Sequence, residues 1–549
     1  MPSISDQNLP RLTDEYVERY EAQGNWGDRT YVDHFEEVLS EYGDKRIIGP
    51  NRSVSFADVE SEVKRVSAGL QSLGIGSGDV VSYQLPNWVA THILHMAISR
   101  TGGIANPIIP IYRRTEVKYI LENSRSKCII VPDEFREFEY PEMIENMAGD
   151  LPELENMVVV GDTSSDVADL TVAEYDSLAQ HDPGEFTSPE LSANDIHAVL
   201  YTSGTTADPK GVLHTHNTLL CEEKNTIDIL ALSSETTVFT PSPVTHITGL
   251  LYALEMPFVE GMSVVLMDTW DPSEAVDIID EHDCNITVGA TPFLQGLYDE
   301  APDDWDCPLR VFACGGADIP PQLVRDATAK LDTTVQRVYG STEFPTATWP
   351  PLDAPLEKLS ETDGAPAPDA HLKIVDIDTR EEVTEGEKGE LVGHSPELMV
   401  GYLGETLNEE AFDSKWFKTG DLAVQDAEGY IEIIGRKKDI IIRGGENIPV
   451  KDVEDRLYEH PAVEEVAVVA MPDPELQEKG CAYVKTKKGE SITFDEMVAY
   501  LDEEGIAKQK YPERLEIIDE FPMTASGKIQ KNELREDIVD KLGMEPVQR

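Results

Sequence analysis

The sequence has no long apolar run, few cysteines and little positive charge. No stretch approaches the roughly 18 uninterrupted apolar residues of a membrane-spanning helix, so we expect no membrane span. The N-terminal segment Met1–Tyr20 carries charges and no apolar core, so we do not expect a signal peptide. The six cysteines are scattered without a C-x-x-C pair. This pattern predicts reduced thiols in a cytoplasmic protein.

The chain is strongly acidic. It has 45 Lys and Arg residues against 105 Asp and Glu residues, a formal net charge of −60. Such a field repels phosphate backbones and anionic lipids, which argues against nucleic-acid binding and peripheral membrane attachment. The acidic residues recur along the whole chain, as at Glu222-Glu223 and Asp303-Asp304. We therefore predict a halophilic, salt-adapted protein, and an ordinary acidic cytosolic protein is the alternative.

Length and composition predict a folded chain of several units. The 549 residues, of which 40% are apolar, correspond to about three or four units and exclude wholesale disorder. The 12 histidines form no HExxH motif and no Cys/His cluster, so the sequence predicts no transition-metal site.

Strands and helices alternate through most of the chain. A helix over 57–73 precedes a strand over 80–83, and similar strands follow at 128–131, 157–160, 198–202, 263–266, 286–288 and 309–313. This alternation indicates an α/β protein with layered, largely parallel sheets. Short β runs with glycine turns between 386 and 434 predict a small β-rich subdomain. We expect one domain over residues 1–434 and a smaller α+β domain over residues 435–549.

The segment Tyr201–Val212 is the strongest local signal for chemistry. A predicted strand runs into a loop of Thr202, Ser203, Gly204, Thr205 and Thr206, followed by Lys210 and a helix that begins near Thr215. Glycines let backbone amides approach an anion, and the hydroxyl groups and the lysine add donors. The spacing differs from a Walker A loop. We interpret the segment as a phosphate-binding loop, with a polar surface loop as the alternative.

This segment resembles the phosphate loop of the adenylate-forming superfamily, which includes acyl-CoA synthetases, aryl-CoA ligases, peptide-synthetase adenylation domains and luciferase-like enzymes. Four more segments resemble family motifs in the expected order: Tyr339–Glu343, Trp416–Asp421, Gly435–Ile448 and Pro522–Lys531. The resemblance spans roughly residues 30 to 540. It implies a large α/β domain with a mobile C-terminal domain, and a ligase that uses ATP, Mg²⁺ and coenzyme A.

The resemblance also assigns roles to residues. The nucleotide is expected at Thr202, Ser203, Gly204, Thr205, Thr206, Lys210, Gly315, Gly316, Ala317, Tyr339, Gly340, Ser341, Thr342, Asp421, Ile433 and Arg436. Glu343 and Thr206 are the expected Mg²⁺ ligands. Lys528 is expected to bridge the substrate carboxylate and the α-phosphate. The hinge is expected at Lys438, and coenzyme A is expected at Arg443, Gly444 and Gly445.

The acyl pocket is expected at small and apolar residues: Thr248, Gly249, Leu250, Gly289 and Ala290. These favour an uncharged medium-chain, branched or alicyclic acid. Thr245–Gly249 offers no carboxylate for an α-ammonium group, which argues against an amino acid. His246 is expected to orient the substrate carboxylate, or else to be a packed core residue. Some aryl-CoA ligases have a lysine where Ile442 stands, and Ile441–Pro449 most resembles cyclohexanecarboxylate– and medium-chain fatty acid–CoA ligases.

The sequence thus predicts an AMP-forming acyl-CoA synthetase that acts on a small carboxylic acid. Three alternatives stay open at this stage: an acyl-AMP ligase that loads a separate carrier protein, a non-catalytic acyl or nucleotide sensor, and a luciferase-like oxygenase. The sequence does not fix the oligomeric state, and a homodimer is compatible with it.

Overall fold

The computed structural model describes residues 4, 9–163, 165, 167, 170–202, 209–444, 446–524 and 528–545. Within this part of the chain, helices alternate with strands as predicted. The helices are Asp14–Gln23, Tyr31–Glu41, Phe56–Ser72, Val89–Arg100, Arg114–Ser124, Tyr140–Ala148, Tyr175–Leu178, His216–Ile229, Ile247–Gly249, Pro257–Glu260, Pro272–Glu281, Thr291–Glu300, Pro321–Leu331, Leu356–Glu361, Glu405–Ala411, Lys451–Tyr458, Phe494–Glu503 and Lys531–Leu542. A π-helix spans Leu250–Glu255, and 3-10 turns span Pro183–Glu185, Lys437–Asp439 and Lys508–Lys510.

Two large sheets form the main body of the fold. The first sheet has the described strand order Thr334–Arg337, Val311–Cys314, Ile286–Gly289, Thr237–Thr240, Ser263–Leu266, Arg46–Ile48 and Ser53–Ser55. The second sheet has the order Gly401–Tyr402, Lys210–Thr215, Ile196–Thr202, Ile104–Pro107, Val80–Tyr83, Cys128–Pro132, Asn156–Val160 and Thr171–Glu174. Most neighbouring strands are parallel, as the alternation with helices requires.

Two smaller sheets follow in the chain. One is antiparallel and consists of His371–Val375, Gly389–His394, Trp416–Gln425, Phe412–Asp413 and Ile431–Arg436. The other consists of Glu446–Ile448, Ile441–Arg443, Gln477–Thr486, Val463–Asp473 and Arg514–Ile517, with helices Lys451–Tyr458 and Phe494–Glu503 packed on it. Two-stranded pairs are also present at Glu134–Phe135 with Phe138–Glu139 and at Thr348–Trp349 with Ala365–Pro366. The predicted fold class, α/β layers with a β-rich subdomain and a small α+β C-terminal domain, is confirmed.

One strand was not predicted. The sequence pattern indicated a loop that contains Lys210 and is followed by a helix beginning near Thr215. Instead, Lys210–Thr215 is a strand that pairs antiparallel with Ile196–Thr202, with Thr202 opposite Lys210. The helix begins at His216, as predicted, and the Thr215 side chain accepts from the Thr218 backbone N–H group at its start. Lys210 therefore lies at the start of a strand and not in a loop.

The hydrophobic core lies mainly between the two large sheets and the helices that cover them. Helices Phe56–Ser72 and Val89–Arg100 contribute Val59, Val63 and Ile93 to this core. All six cysteines are free thiols, and five of them are buried. Among the described residues, no helix has both the length and the apolar character needed to cross a membrane.

Close packing at Gly69 gives a test of this core. Gly69 is buried within helix Phe56–Ser72, and a Cβ atom there would lie 2.8 Å from both Cα and Cβ of Leu178. In a helix interior alanine is normally the more stable residue. Here we expect Gly69→Ala to lower the free energy of unfolding by about 1–3 kcal/mol, because overpacking must displace the Leu178 backbone.

Urea unfolding followed by circular dichroism measures the change, with Gly149→Ala as the matched control. A Cβ atom at Gly149 meets nothing within 4 Å. An unfolding midpoint of Gly69→Ala at or above that of the control variant would contradict the packing described.

Candidate active site

A cavity lies at the carboxyl edge of the first sheet. Its lining residues are Ser242, Pro243, His246, Thr248, Ala290, Phe293, Gly315, Gly316 and Lys528. Ser242, Ala290 and Gly315 follow within two residues the strands Thr237–Thr240, Ile286–Gly289 and Val311–Cys314. Ligands of open α/β sheets bind at the carboxyl ends of parallel strands. The fold thus forms this cavity where a substrate is expected.

Lys528 reaches this cavity from the C-terminal part of the chain. Its backbone N–H group donates to Thr524 Oγ1 at 3.0 Å, and its carbonyl oxygen accepts from the Thr524 N–H group at 2.7 Å. A Cβ atom built on Gly316 would lie 3.7 Å from Lys528 Cε. Among the described residues, the Lys528 ammonium group has no hydrogen bond or ion pair. The Lys528 side chain therefore lies against the backbone of Gly316, and its ammonium group is available to an anion.

The charge around Lys528 connects residues that the sequence predicted separately. Burial, and then the Arg436 charge, lower the pKa of Lys528, whereas Asp421, Glu343 and Asp318 act to raise it. All of these groups are close enough to influence one ammonium group. An anionic substrate would replace the solvation that Lys528 loses on burial.

Asp421 holds two other predicted nucleotide ligands. Its Oδ2 atom accepts from the Tyr339 hydroxyl group at 2.6 Å, and its Oδ1 atom accepts from Arg436 Nε at 2.9 Å. Asp421 and Arg436 also face each other across two antiparallel strands. Burial and Asp421 raise the pKa of Tyr339, so its hydroxyl group stays a donor. Each carboxylate oxygen can accept more than one hydrogen bond, so both remain able to receive a ribose hydroxyl group.

Glu343 is positioned by the second sheet. Its Oε1 atom accepts from the Tyr402 hydroxyl group at 2.7 Å, and its carbonyl oxygen accepts from the Met399 N–H group at 2.8 Å. Lys210 Nζ lies over the Tyr402 ring, 5.4 Å from its centroid. The side chain of Glu343 is thus oriented by a hydroxyl donor. A hard oxygen donor of this kind suits Mg²⁺.

The segment around Glu343 is a tight turn that glycine makes possible. A Cβ atom on Gly340 would lie 1.8 Å from the Pro345 carbonyl oxygen. Ser341 closes the turn, since its N–H group donates to the Phe344 carbonyl oxygen at 2.8 Å. The Thr342 carbonyl oxygen lies 2.8 Å from His214 Nε2. These contacts fix the backbone position from which the Glu343 side chain extends.

Ile433 lies beside this site through its backbone. Its N–H group donates to Asp363 Oδ2 at 2.7 Å, and the other oxygen of Asp363 accepts from Arg337 Nε and NH2. The side chain of Ile433 packs in the same small cluster as Tyr339. The buried Arg337–Asp363 pair, which sequence reasoning missed, anchors the strand that carries Arg436.

His246 faces Lys528 across the cavity. Its Nδ1 atom accepts from the Thr248 N–H group at 3.4 Å, so the ring proton is assigned to Nε2. Burial and the nearby Lys528 charge lower the pKa of His246 to about 3. The ring is therefore a neutral N–H donor at physiological pH.

The residues expected to form the acyl pocket separate into two groups. Thr248 and Ala290 line the cavity. Gly249, Leu250 and Gly289 are buried behind it. A Cβ atom on Gly249 would lie 2.1 Å from the Pro243 carbonyl oxygen, and Leu250 belongs to the central core. These residues set the position of the wall and do not form its surface. Ser242 and Pro243 do line the cavity. They follow the carboxyl end of the strand Thr237–Thr240, where ligands of parallel sheets bind, and this signal could have identified them.

The remaining predicted residues lie outside the cavity or outside the described residues. Arg443 Nε donates to Glu513 Oε1 at 2.8 Å within the C-terminal sheet, and Gly444 adopts a positive φ of 60° beside it. Lys438 lies in the turn Lys437–Asp439, and burial and Arg436 lower its pKa to about 8. Ala317 follows Gly316 but does not line the cavity. Ser203, Gly204, Thr205, Thr206 and Gly445 lie outside the described residues.

Comparison with known proteins identifies the family. The sequence profile of AMP-binding enzymes matches residues 35–403, and that of the AMP-binding enzyme C-terminal domain matches residues 452–528. The chain belongs to the AMP-binding enzyme family. The resemblance found in the motifs is thereby confirmed.

Individual relatives of this AMP-binding enzyme cover almost its whole length. The medium-chain fatty-acid–CoA ligase of Escherichia coli is 34% identical over 95% of this chain and 93% of its own. The 2,3-dihydroxybenzoate-AMP ligase of Bacillus subtilis is 30% identical over 96% of this chain and 97% of its own. The crystal structure of the anthranilate CoA ligase AuaEII with anthranoyl-AMP superposes with a TM-score of 0.86, at 26% identity, over 94% of this chain and 98% of that one. The AMP-binding enzyme described here is an adenylate-forming acyl or aryl ligase.

The neutral state of His246 gives a pH test of the site. An unfolded histidine has a pKa of about 6.5. Below that pH the unfolded chain takes up a proton that folded His246 does not, so stability falls as the pH drops toward 3. We expect His246→Gln to lose less stability than the native chain between pH 7.5 and 5, by about 2 kcal/mol.

Urea unfolding at the two pH values measures this difference. His371→Gln serves as the control, because the His371 residue is exposed. The burial assigned to His246 would be wrong if both variants changed the pH dependence equally.

Proposed function

We propose that this enzyme is an ATP-dependent acyl-CoA synthetase for a medium-chain, branched or alicyclic carboxylic acid. The observation that carries the proposal is the position of Lys528, held against Gly316 in a cavity with small walls. In the first step a carboxylate oxygen attacks the α-phosphorus of ATP, and pyrophosphate leaves. In the second step the thiol sulfur of coenzyme A attacks the acyl carbon, and AMP leaves.

The first step brings two anions together, and the site supplies charge for this. We propose that the ammonium group of Lys528 contacts both the carboxylate and the α-phosphate, which its position in the cavity supports. Asp421 would accept the ribose hydroxyl groups, and Arg436, which is fixed by Asp421, adds positive charge beside them. Glu343 would hold Mg²⁺, which when bound neutralises the phosphate oxygens of the nucleotide. The Ser203–Thr206 loop is proposed to hold the phosphates.

The acid is proposed to enter between His246 and Ala290. The Nε2–H group of His246 is a neutral donor, so it can orient a carboxylate without neutralising it. Thr248, Ala290 and Phe293 offer a mostly apolar surface and no carboxylate. This surface suits an uncharged acyl chain. The likeness to the medium-chain fatty-acid–CoA ligase supports the same substrate class.

The second step needs another arrangement of the C-terminal part. We propose that residues 435–549 form one unit that turns about Lys438 after adenylation and withdraws Lys528. The segment Arg443–Gly445 would then approach the acyl-adenylate. A residue without a side chain at Gly444 lets a thin thiol arm pass close to the backbone.

Lys528 gives the most direct test. We expect Lys528→Ala to lower the rate of acyl-adenylate formation by about 100-fold or more, because the charge at the α-phosphate is lost. Thioester formation from supplied acyl-AMP should change much less. Pyrophosphate release measures the first half-reaction, and consumption of the coenzyme A thiol measures the second.

Lys508→Ala is the matched control, since Lys508 is an exposed lysine in the same part of the chain. It should leave both half-reactions unchanged. Equal losses of rate in the two half-reactions of Lys528→Ala would contradict the role proposed for this residue.

Ala290 tests the acid specificity. Ala290→Leu should lower kcat/KM for octanoate by about 10-fold or more and spare acetate, because the added atoms occupy the space of the longer chain. Ala290→Gly enlarges the same wall and serves as the reciprocal variant. Parallel changes for both acids would show that Ala290 does not contact the acyl chain.

A panel of acids tests the acceptor and the substrate class together. Hexanoate, octanoate, cyclohexanecarboxylate, benzoate and 2,3-dihydroxybenzoate are compared with and without coenzyme A, in concentrated KCl because of the −60 charge. Turnover stimulated by coenzyme A on the first three acids is the expected result. The B. subtilis relative is named an AMP ligase, which keeps a carrier-protein acceptor as the second candidate. Pyrophosphate release that coenzyme A does not stimulate would favour that candidate.

A further inference from the structure

The C-terminal part of the chain contacts the wall of the cavity through a side-chain hydrogen bond. The Tyr458 hydroxyl group, at the end of helix Lys451–Tyr458, donates to Gln295 Oε1 at 2.6 Å. Gln295 lies on helix Thr291–Glu300, and Phe293 of the same helix lines the cavity. The bond therefore joins the proposed mobile unit, residues 435–549, to the helix that forms part of the acyl wall.

Neighbouring contacts orient both partners of this bond. Gln295 Nε2 donates to Asp299 Oδ1 at 2.9 Å, one turn later on its helix, which leaves Oε1 to accept from Tyr458. The Tyr458 ring packs against the apolar cluster that contains Leu294 and Leu297. Burial raises the pKa of Tyr458, so its hydroxyl group stays protonated and can donate. Both side chains are thus held in the orientation that the bond needs.

Helix Lys451–Tyr458 also holds the segment that carries Lys528. Lys531 Nζ donates to Glu454 Oε2 at 2.9 Å, and Glu454 lies on this helix one turn before Tyr458. Lys531 follows Lys528 by three residues. A movement of the helix away from the cavity wall therefore moves Lys528 as well.

The contacts across this interface are weak enough to be broken in every turnover. The Tyr458–Gln295 bond joins two neutral groups, whose net contribution in water is modest. Beside it, Lys531 Nζ lies 3.9 Å from Asp318 Oδ2, and the Asp318 side chain is 63% exposed. Exposed ion pairs of this length contribute little. An interface of this kind suits a step that must be reversed.

We propose that Tyr458 and Gln295 form a latch that positions Lys528 for adenylation and opens for thioester formation. The inference rests on the proposed ligase function, because it assigns the latch to the first of two half-reactions. In the docked arrangement the Tyr458–Gln295 bond is made, and in the open arrangement it is broken. Tyr458 is a positioning residue, since it acts through Lys528 and does not contact the reacting atoms.

Removal of one hydroxyl group tests the latch. Tyr458→Phe keeps the ring and deletes the bond, so the ratio of docked to open chains should fall about 3- to 10-fold. Adenylation uses the docked arrangement, and thioester formation uses the open one. The ratio of the adenylation rate to the thioester rate should therefore fall by the same factor, whichever arrangement predominates. Pyrophosphate release measures the first rate, and consumption of the coenzyme A thiol with supplied acyl-AMP measures the second.

Tyr511→Phe is the matched control. The Tyr511 hydroxyl group donates to Asp502 Oδ1 at 3.0 Å, and both residues belong to the unit 435–549. This variant loses a hydrogen bond of the same kind within one unit, so the ratio of the two rates should stay that of the native enzyme. Equal losses of both rates in Tyr458→Phe would show a merely structural role and would overturn the latch.

Gln295→Met removes the other partner of the bond. Because Tyr458→Phe and Gln295→Met delete the same interaction, the double variant should lower the ratio of rates no further than the stronger single variant does. Effects that multiply in the double variant would show that the two side chains act independently, which contradicts the latch.

Limited digestion with trypsin tests the latch without catalysis. Lys437–Asp439 forms a 3-10 turn at the proposed hinge, and Lys438 is half-buried in it. Turning about Lys438 changes this turn and exposes its lysines to the protease. The structure has the docked arrangement, so the hinge of Tyr458→Phe should be cleaved about 3- to 10-fold faster than that of Tyr511→Phe.

The two proposals fail in different ways. Equal cleavage rates at the hinge would overturn the latch even where the native enzyme carries out both half-reactions. A native enzyme that releases no pyrophosphate with any acid would instead overturn the ligase function, and the digestion would still measure the Tyr458–Gln295 contact.

Discussion

The structure depends on holding the Lys528 cation at an anion-binding cavity without a counter-ion of its own. In a chain with a net charge of −60, almost any surface position would supply lysine with a carboxylate partner. The C-terminal segment avoids this by placing Lys528 against Gly316, which has no side chain that could pair with the ammonium group. The nearby carboxylates have other tasks, since Asp421 binds Tyr339 and Arg436. The positive charge of Lys528 is thereby left for the anions that the proposed reaction brings into the cavity.

The need to keep Lys528 free of a carboxylate partner also explains why the site is built from two parts of the chain. The carboxyl ends of the first sheet provide walls made mainly of backbone and small side chains, as at Ala290 and Gly315. Such walls suit the acyl chain and the adenine ring proposed to bind there but provide no positive charge. The charge comes from a loop far along the sequence. A cation that arrives on a separate element can be withdrawn, which a two-step reaction with two different nucleophiles requires.

Much of this could be predicted from the sequence, because the relevant signals are local. Apolar runs between turns gave the strands, and the family motifs gave the residues that gather around Lys528. Predictions failed where position depends on packing against distant residues. Lys210 was expected in a loop, but its strand is fixed by pairing with Ile196–Thr202. Leu250 was expected at the acyl pocket, but the π-helix turns it into the core.

The buried cluster of His95, His197, Glu223 and Glu255 depends most strongly on contacts between residues that are distant in the sequence. A search for short motifs cannot find hydrogen-bond partners such as His95 and Glu255, since they share no local spacing and meet only when the two sheets pack. Their burial is nevertheless informative. Isolated buried carboxylates destabilise a fold strongly unless they are neutralised or paired. A position that keeps Glu223 beside Glu255 therefore requires one of the two carboxyl groups to be neutral, and burial together with the Glu255 charge raises the pKa of Glu223 so that a proton meets that requirement.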